Sequence, residues 1–168
     1  PFGNPDWTMT WTPEHAEITN IQGDLVAARD NGRDAFDRSY HAPWDSLNLV
    51  YFNGYAMWTY HAFPFVFAEP GYETREIEPI AHDGDLLRGL EVRLPENIHS
   101  HSRVQRFYFG ADGLLRRHDY EVEVWADTPA AHFLSDYVDM DGLKLPRNRS
   151  VFALQPNGQL NLDLNLVT

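Results

Sequence analysis

The chain has 168 residues, 43% of them hydrophobic and 14% aromatic, a globular composition of the size of one ordinary domain. Its formal charge is −12, from 25 acidic against 13 basic residues. Such a field repels phosphate backbones and anionic membrane surfaces, so no nucleic-acid partner is expected. There is no cysteine, which excludes disulfides, thiolate catalysis and zinc–thiolate sites.

The chain opens on Pro1 rather than on methionine, so a further N-terminal segment is expected ahead of it. The compartment stays open, with the cytoplasm as the default reading, and so does the oligomeric state. In chain order, "DWTMTWT" alternates, Pro13 breaks it, "HAEITNI" resumes, and Gly23 sits at the turn into "LVAARD". Asn31-Gly32 marks a further turn. Asp45 is a good N-cap and Pro64 a stop, which predicts a helix over Asp45–Ala62 of about four turns. Leu47, Val50, Tyr51, Tyr55 and Trp58 recur at helical spacing, while Phe52, Met57 and Phe63 make the other sides apolar, so the helix is expected to be enclosed. The same apolar run, Leu47–Ala68, is broken by Asn48, Asn53, Gly54, His61 and Pro64, and it is not read as a membrane span.

Everything after the helix reads as antiparallel hairpins. "YETREIEPI" meets "LLRGLEVRLP" across His82–Asp85, and "RVQRFYF" meets "LLRRHDYEVEVW" across "GADG". "AHFLSDYVDM" meets "LKLPRNRSVFAL" across Asp141-Gly142, and Asn157-Gly158 leads into "LNLDLNLV". No repeat or linker interrupts residues 1–168, which are read as one domain. The predicted fold is mainly β (α+β): a curved antiparallel sheet, or incomplete β-barrel, wrapped around one long aromatic helix.

The "DGLKLP" of Asp141–Pro146, the hairpin "TPEHAEI…GDLVAARD" and "FYFGADGLLRRHDY" together resemble the hairpins of LolA/LolB-like lipoprotein-carrier half-barrels, over about residues 7–154. The chain resembles more closely still an uncharacterised bacterial group of that fold. The resemblance implies an incomplete barrel closed by a helix, with a hydrophobic cavity for acyl chains. A titratable inner face sets this chain apart from the carriers.

That face is read from the stretch "HSRVQRFYFGADGLLRRHDYEVEVW", residues 101–125. Arg116 and His118 share parity with Leu114, Tyr120, Val122 and Val124, while Arg117, Asp119, Glu121 and Glu123 make the opposite, solvated face. Pairing Phe109 with Leu114 keeps both apolar sets together. It sets Gln105 opposite His118, Phe107 opposite Arg116 and Arg103 opposite Tyr120. A one-residue bulge at Gly113 would flip this register, but the apolar parity argues for the unbulged pairing. The expected patch is then His101, Arg103, Gln105, Arg116, His118 and Tyr120 beside Phe107, and two arginines there need water or an anionic partner.

Two functions follow. The first is binding of a hydrophobic or amphipathic small molecule, with ligand contacts at His101, Arg103, Gln105, Phe107 and Arg116 and at Tyr51, Tyr55 and Trp58 of the helix. The alternative is a cofactor-free acid/base enzyme (lyase, isomerase, cyclase or hydrolase), with His118 as acid or base and Tyr120 as donor. No glycine-rich phosphate loop, dinucleotide fingerprint or haem motif is present, so no cofactor is expected. His99-Ser100-His101 has ligand-like spacing, with His118 or His132 to complete a site. It lacks a fixed inward carboxylate, so it reads as a solvated loop after Pro95 and no metal is expected.

Overall fold

The structure is a computed structural model that describes residues 4–155 and 157–167. It is mostly β, with a curled antiparallel half-barrel sheet and one helix. The strands run β1 (Trp7–Trp11), β2 (His15–Asn20) and β3 (Leu25–Asp30), then α1 (Ser46–Ala62). After it come β4 (Glu73–His82), β5 (Asp85–Arg93), β6 (Val104–Phe109), β7 (Leu115–Val122), β8 (Thr128–Met140), β9 (Leu143–Leu154) and β10 (Leu160–Val167). Short 3-10 turns, Gly32–Ala35 and Phe65–Ala68, flank the helix.

The strands divide into two sheets, a three-stranded meander β1-β2-β3 and a seven-stranded one in the order β10-β9-β8-β7-β6-β5-β4. Every pairing is antiparallel between sequence neighbours, as hairpin chemistry dictates. Asp83-Gly84 and Asp141-Gly142 both hold positive φ at two successive residues (50° and 86°; 53° and 90°), the turn whose twist matches the flanking strands. The chain gathers into two compact units. One is Pro1–Val66 with Pro95–His101 and Glu123–Ala126; the other is Phe67–Leu94 with Ser102–Val122 and Asp127–Thr168.

In the first unit α1 begins with a capping box: the Asp45 carboxylate accepts from Asn48 N, and the Asn48 side chain accepts from Asp45 N. Arg29 grips the same carboxylate with both terminal guanidinium nitrogens, Nη2 at 2.6 Å and Nη1 at 3.1 Å. The helix ends at Phe63, whose N–H returns to Thr59 O, one residue before Pro64. Apolar residues on all sides have the expected result, for only Met57 and His61 of α1 are exposed. The helix packs on β1 and β2, burying Ala16 and Ile18 completely. Gly54 is required there: a Cβ at that position would lie 2.2 Å from Trp11 Cγ, so the absence of a side chain lets the indole lie on the helix. Tyr51 and Tyr55 are fully buried, whereas Trp58, expected in the core, is half-buried against Phe63.

In the second unit one face of the sheet forms a core of Val92, Phe107, Val122, Ala130 and Val151. The opposite face carries charges paired across strands, Arg75 with Glu91 and Arg106 with Glu91 and Glu121.

Candidate functional site

The β6–β7 hairpin decides which side chains meet. Its turn is closed by Gly113 N on Gly110 O and Gly110 N on Leu114 O, with Gly113 at φ 77°. That glycine bulge slips the pairing by one residue, so Phe109 faces Leu115 instead of Leu114. One residue further on, the register shifts again, and Tyr108 faces Arg117. Arg116 is the extra residue between those two pairs. The second shift restores the apolar parity, with the result that Phe107 opposes His118 and Arg106 opposes Asp119. The pairing predicted from alternation is therefore displaced by two residues, while the predicted inner face is kept.

On that face Gln105 is fully buried, His118 and Tyr120 are 3% exposed and Phe107 is 0% exposed. The Gln105 Nε2 donates to Ser102 O at 2.7 Å, which turns its Oε1 toward His118 Nε2, 2.6 Å away. An amide oxygen can only accept, so the imidazole carries a proton on Nε2. The ring stacks on Phe107 at 4.2 Å and 14°, and the Tyr120 ring, tilted by 57°, lies 4.7 Å from it. His132, directly opposite on β8, has its ring centroid 6.2 Å from that of His118. Burial, then the nearby Arg149 charge, pushes the His132 pKa down to about 3, so this ring is neutral at any physiological pH. Two imidazoles, an amide and a phenol thus interrupt an apolar surface over three adjacent strands, β6, β7 and β8.

Two of the predicted members stand elsewhere. Arg103 precedes β6, is exposed, and donates to Leu94 O at 3.1 Å. Arg116, ejected from the ladder as the bulge residue, bonds Asp112 at 2.5 Å and lies 5.6 Å from the Tyr137 ring centroid. The supposedly solvated face also differs from expectation. Asp119 is 8% exposed, and Arg117 binds it with two bonds of 2.6 and 2.8 Å while covering Phe133 and Tyr108. Burial raises the Asp119 pKa against the opposing pull of Arg117. Glu123 lies beyond β7, in the helix-bearing unit.

His101 belongs to that unit too, and with it comes the largest departure from the sequence reading. The segment His99-Ser100-His101 is not a solvated loop, for each of its side chains meets a hydroxyl of α1. Tyr51 Oη lies 2.6 Å from His99 Nδ1, Thr59 Oγ1 2.8 Å from Ser100 Oγ, and Tyr60 Oη 2.9 Å from His101 Nε2. Positions 51, 59 and 60 present three hydroxyls to three consecutive residues. Arg33 ties the segment down, donating to Ser100 O at 3.0 Å and to Glu123 at 2.5 Å. Burial, then the Arg33 charge, lowers the His99 pKa. Tyr55 is enclosed by the rings of Tyr51, Phe52 and His101, at 5.6, 5.3 and 5.1 Å.

Sequence reasoning missed Arg33 and Thr59 altogether. The first follows an ordinary Asn-Gly turn and the second is one β-branched residue in a helix, so neither carries a local signal. Among the described residues no group of three or more His, Asp or Glu could hold a metal ion, and no helix is long and apolar enough to cross a membrane. Comparison of the chain with protein-family models, with curated proteins and with solved structures returned no match.

Proposed function

We propose that the chain binds a hydrophobic or amphipathic small molecule on the buried face of its half-barrel sheet. The apolar part would lie on Val92, Phe107, Val122 and Val151, with the head group at Gln105, His118 and Tyr120. The observation that carries the reading is the Gln105–His118 pair. An amide fixed by Ser102 O orients an imidazole in the middle of an otherwise apolar face. Desolvating these groups costs free energy that aliphatic residues would not, and pure packing has no use for them. The resemblance of its hairpin motifs to those of lipoprotein-carrier half-barrels points to the same class of ligand, a weaker warrant than the site itself.

An acid/base role for His118 with Tyr120 is favoured by one observation, the 4.7 Å approach of the two rings. With Nε2–H spent on Gln105, such a role falls to Nδ1.

Native mass spectrometry of protein purified from its own host tests the binding reading directly, with a retained lipid or amphipathic metabolite as the expected result. Titration of the stripped protein with a fluorescent polyene fatty acid supplies the second arm. Gln105→Leu and His118→Phe should each weaken binding roughly 10-fold, the worth of one hydrogen bond to a charged head group. A protein that carries nothing and takes up no fatty acid, or two variants that bind as tightly as the parent, would overturn the reading.

A further inference from the structure

Phe107 and Tyr108 are neighbours on β6 and so point to opposite faces of the second sheet. On the Tyr108 face lies a cavity of about 530 Å³, between Ile77, Pro79 and Ile80 of β4 and Arg106 and Tyr108 of β6. Gly89 of β5 stands between those strands, paired with Ile77 on one side and Tyr108 on the other. A bulge builds the site. Ile77 pairs with Gly89 and Ile80 with Leu87, so β4 holds Glu78 and Pro79 where β5 holds Arg88 alone. Pro79 has no N–H for the ladder, and the extra residue keeps both isoleucines, three positions apart, on one face. A Cβ on Gly89 would lie 2.7 Å from Ile77 Cγ1, 3.0 Å from Glu78 O and 3.1 Å from Tyr108 Cε1. These groups therefore converge over the missing side chain. Tyr108 is 7% exposed, and among the described residues its hydroxyl has no hydrogen-bond partner. That oxygen is not sealed either, which leaves it to the cavity that Tyr108 borders.

We propose that this cavity binds an organic ammonium ion, a primary amine on a small aryl or alkyl body. The charges around the cavity choose the sign. Arg75 is matched by Glu91 at 2.6 Å, Arg106 by Glu91 at 3.5 Å and Glu121 at 3.9 Å, and Arg88 by Glu76. Glu78, which also borders the cavity, is exposed and has no ion pair among the described residues. An anionic guest would have to draw an arginine away from its carboxylate, whereas a cation finds one carboxylate unanswered. An ammonium group only donates, and the Glu78 carboxylate and the Tyr108 oxygen can both accept. Ile77, Pro79 and Ile80 suit the apolar body, and the volume is that of a small-molecule site. The net charge of −12 raises the concentration of cations at the surface. The site shares no residue with the Gln105–His118 head-group site, so either can fail without the other.

The test uses phenethylamine, phenethyl alcohol and hydrocinnamate, which carry the same ring and chain on a cationic, a neutral and an anionic head at neutral pH. Amide-detected NMR titration of the isotope-labelled chain should place phenethylamine at Ile77, Gly89 and Tyr108. The amine should bind about 2- to 5-fold more tightly than the alcohol, the range for an exposed ion pair, with the carboxylate weakest of the three. In Glu78→Gln the preference for amine over alcohol should vanish, because the charge is removed and an acceptor oxygen is kept. Glu78 is exposed, so this substitution leaves the fold intact. Tyr108→Phe should weaken amine and alcohol alike by about 2- to 10-fold, with an unchanged melting temperature, since the hydroxyl serves no structural bond. Tighter binding of hydrocinnamate, or a preference that survives Glu78→Gln, would overturn the proposal. So would shifts centred on Gln105 and His118 instead, or binding of none of the three compounds.

Discussion

Two pairs of histidines in this molecule are withdrawn from water by different means. His99 and His101 each meet a tyrosine hydroxyl delivered by α1, within a segment that Arg33 anchors through Ser100 O and Glu123. His118 and His132 stand opposite one another on β7 and β8, flanked by aromatic and aliphatic side chains, with one amide oxygen on His118 Nε2. The first pair is held by polar bonds that a helix contributes at three consecutive loop positions. The second is held mainly by strand register and ring stacking. The first arrangement is that of a structural strut, whereas the second sets imidazole rings into a face that is otherwise apolar.

The contrast can be broken most strongly through pH at His132. Its folded pKa, about 3, lies below the unfolded value of 6.5, so the unfolded chain binds the proton more readily between those two values. The stability that the neutral ring contributes is fully present above about pH 6.5 and is lost as pH falls toward 3. One proton of difference corresponds to a slope of about 1.4 kcal/mol per pH unit. Replacing His132 by Leu should flatten the urea-derived stability profile between about pH 6 and 4 by up to that amount. A slope identical to that of the parent would show that the ring is not buried neutral.

A smaller effect tests the other half. Tyr51→Phe removes the hydroxyl that meets His99 Nδ1 and leaves the ring nitrogen in a partly buried site. The denaturation midpoint should fall by the equivalent of about 1–2 kcal/mol. Loss of less than the experimental error would mean that the loop is held by Arg33, Thr59 and Tyr60 without help from the Tyr51–His99 bond. Smallest of all is Arg116→Ala. Its carboxylate partner Asp112 is half-exposed, so stability should change by no more than about 1 kcal/mol, and fatty-acid affinity should not change. A clear loss of affinity would return Arg116 to the head-group site and undo the distinction between bulge residue and inner face.

Much of the fold was legible because hairpin chemistry and periodicity are local. Asp45 and Pro64 bracket the helix as expected, and each Asp-Gly or Asn-Gly signal after the helix falls at the turn between two strands. Parity carried Gln105, Phe107, His118 and Tyr120 to one face because a period of two survives any even shift. It failed at Arg116 and Arg103 for opposite reasons: the first absorbs the slip introduced at Gly113, and the second lies one residue before the strand begins. The helix aromatics were recognised as core, but their hydroxyl partners were invisible, because Tyr51 and His99 are separated by 48 positions.

The sequence by itself determined the antiparallel hairpins, the capped aromatic helix, and the set of polar residues that one face of β6 and β7 had to present. These depend on turn residues, cap residues and alternation, each expressed within a few bonds of the backbone. Tertiary structure alone decided that the strands separate into two sheets, that His99–His101 lies under three hydroxyls of α1, and that Tyr55 is sealed with its own hydroxyl unanswered. Those outcomes follow from desolvation. Once a polar group is buried it must take whichever partner the packed chain brings within about 3 Å, and sequence spacing carries no record of which one that will be.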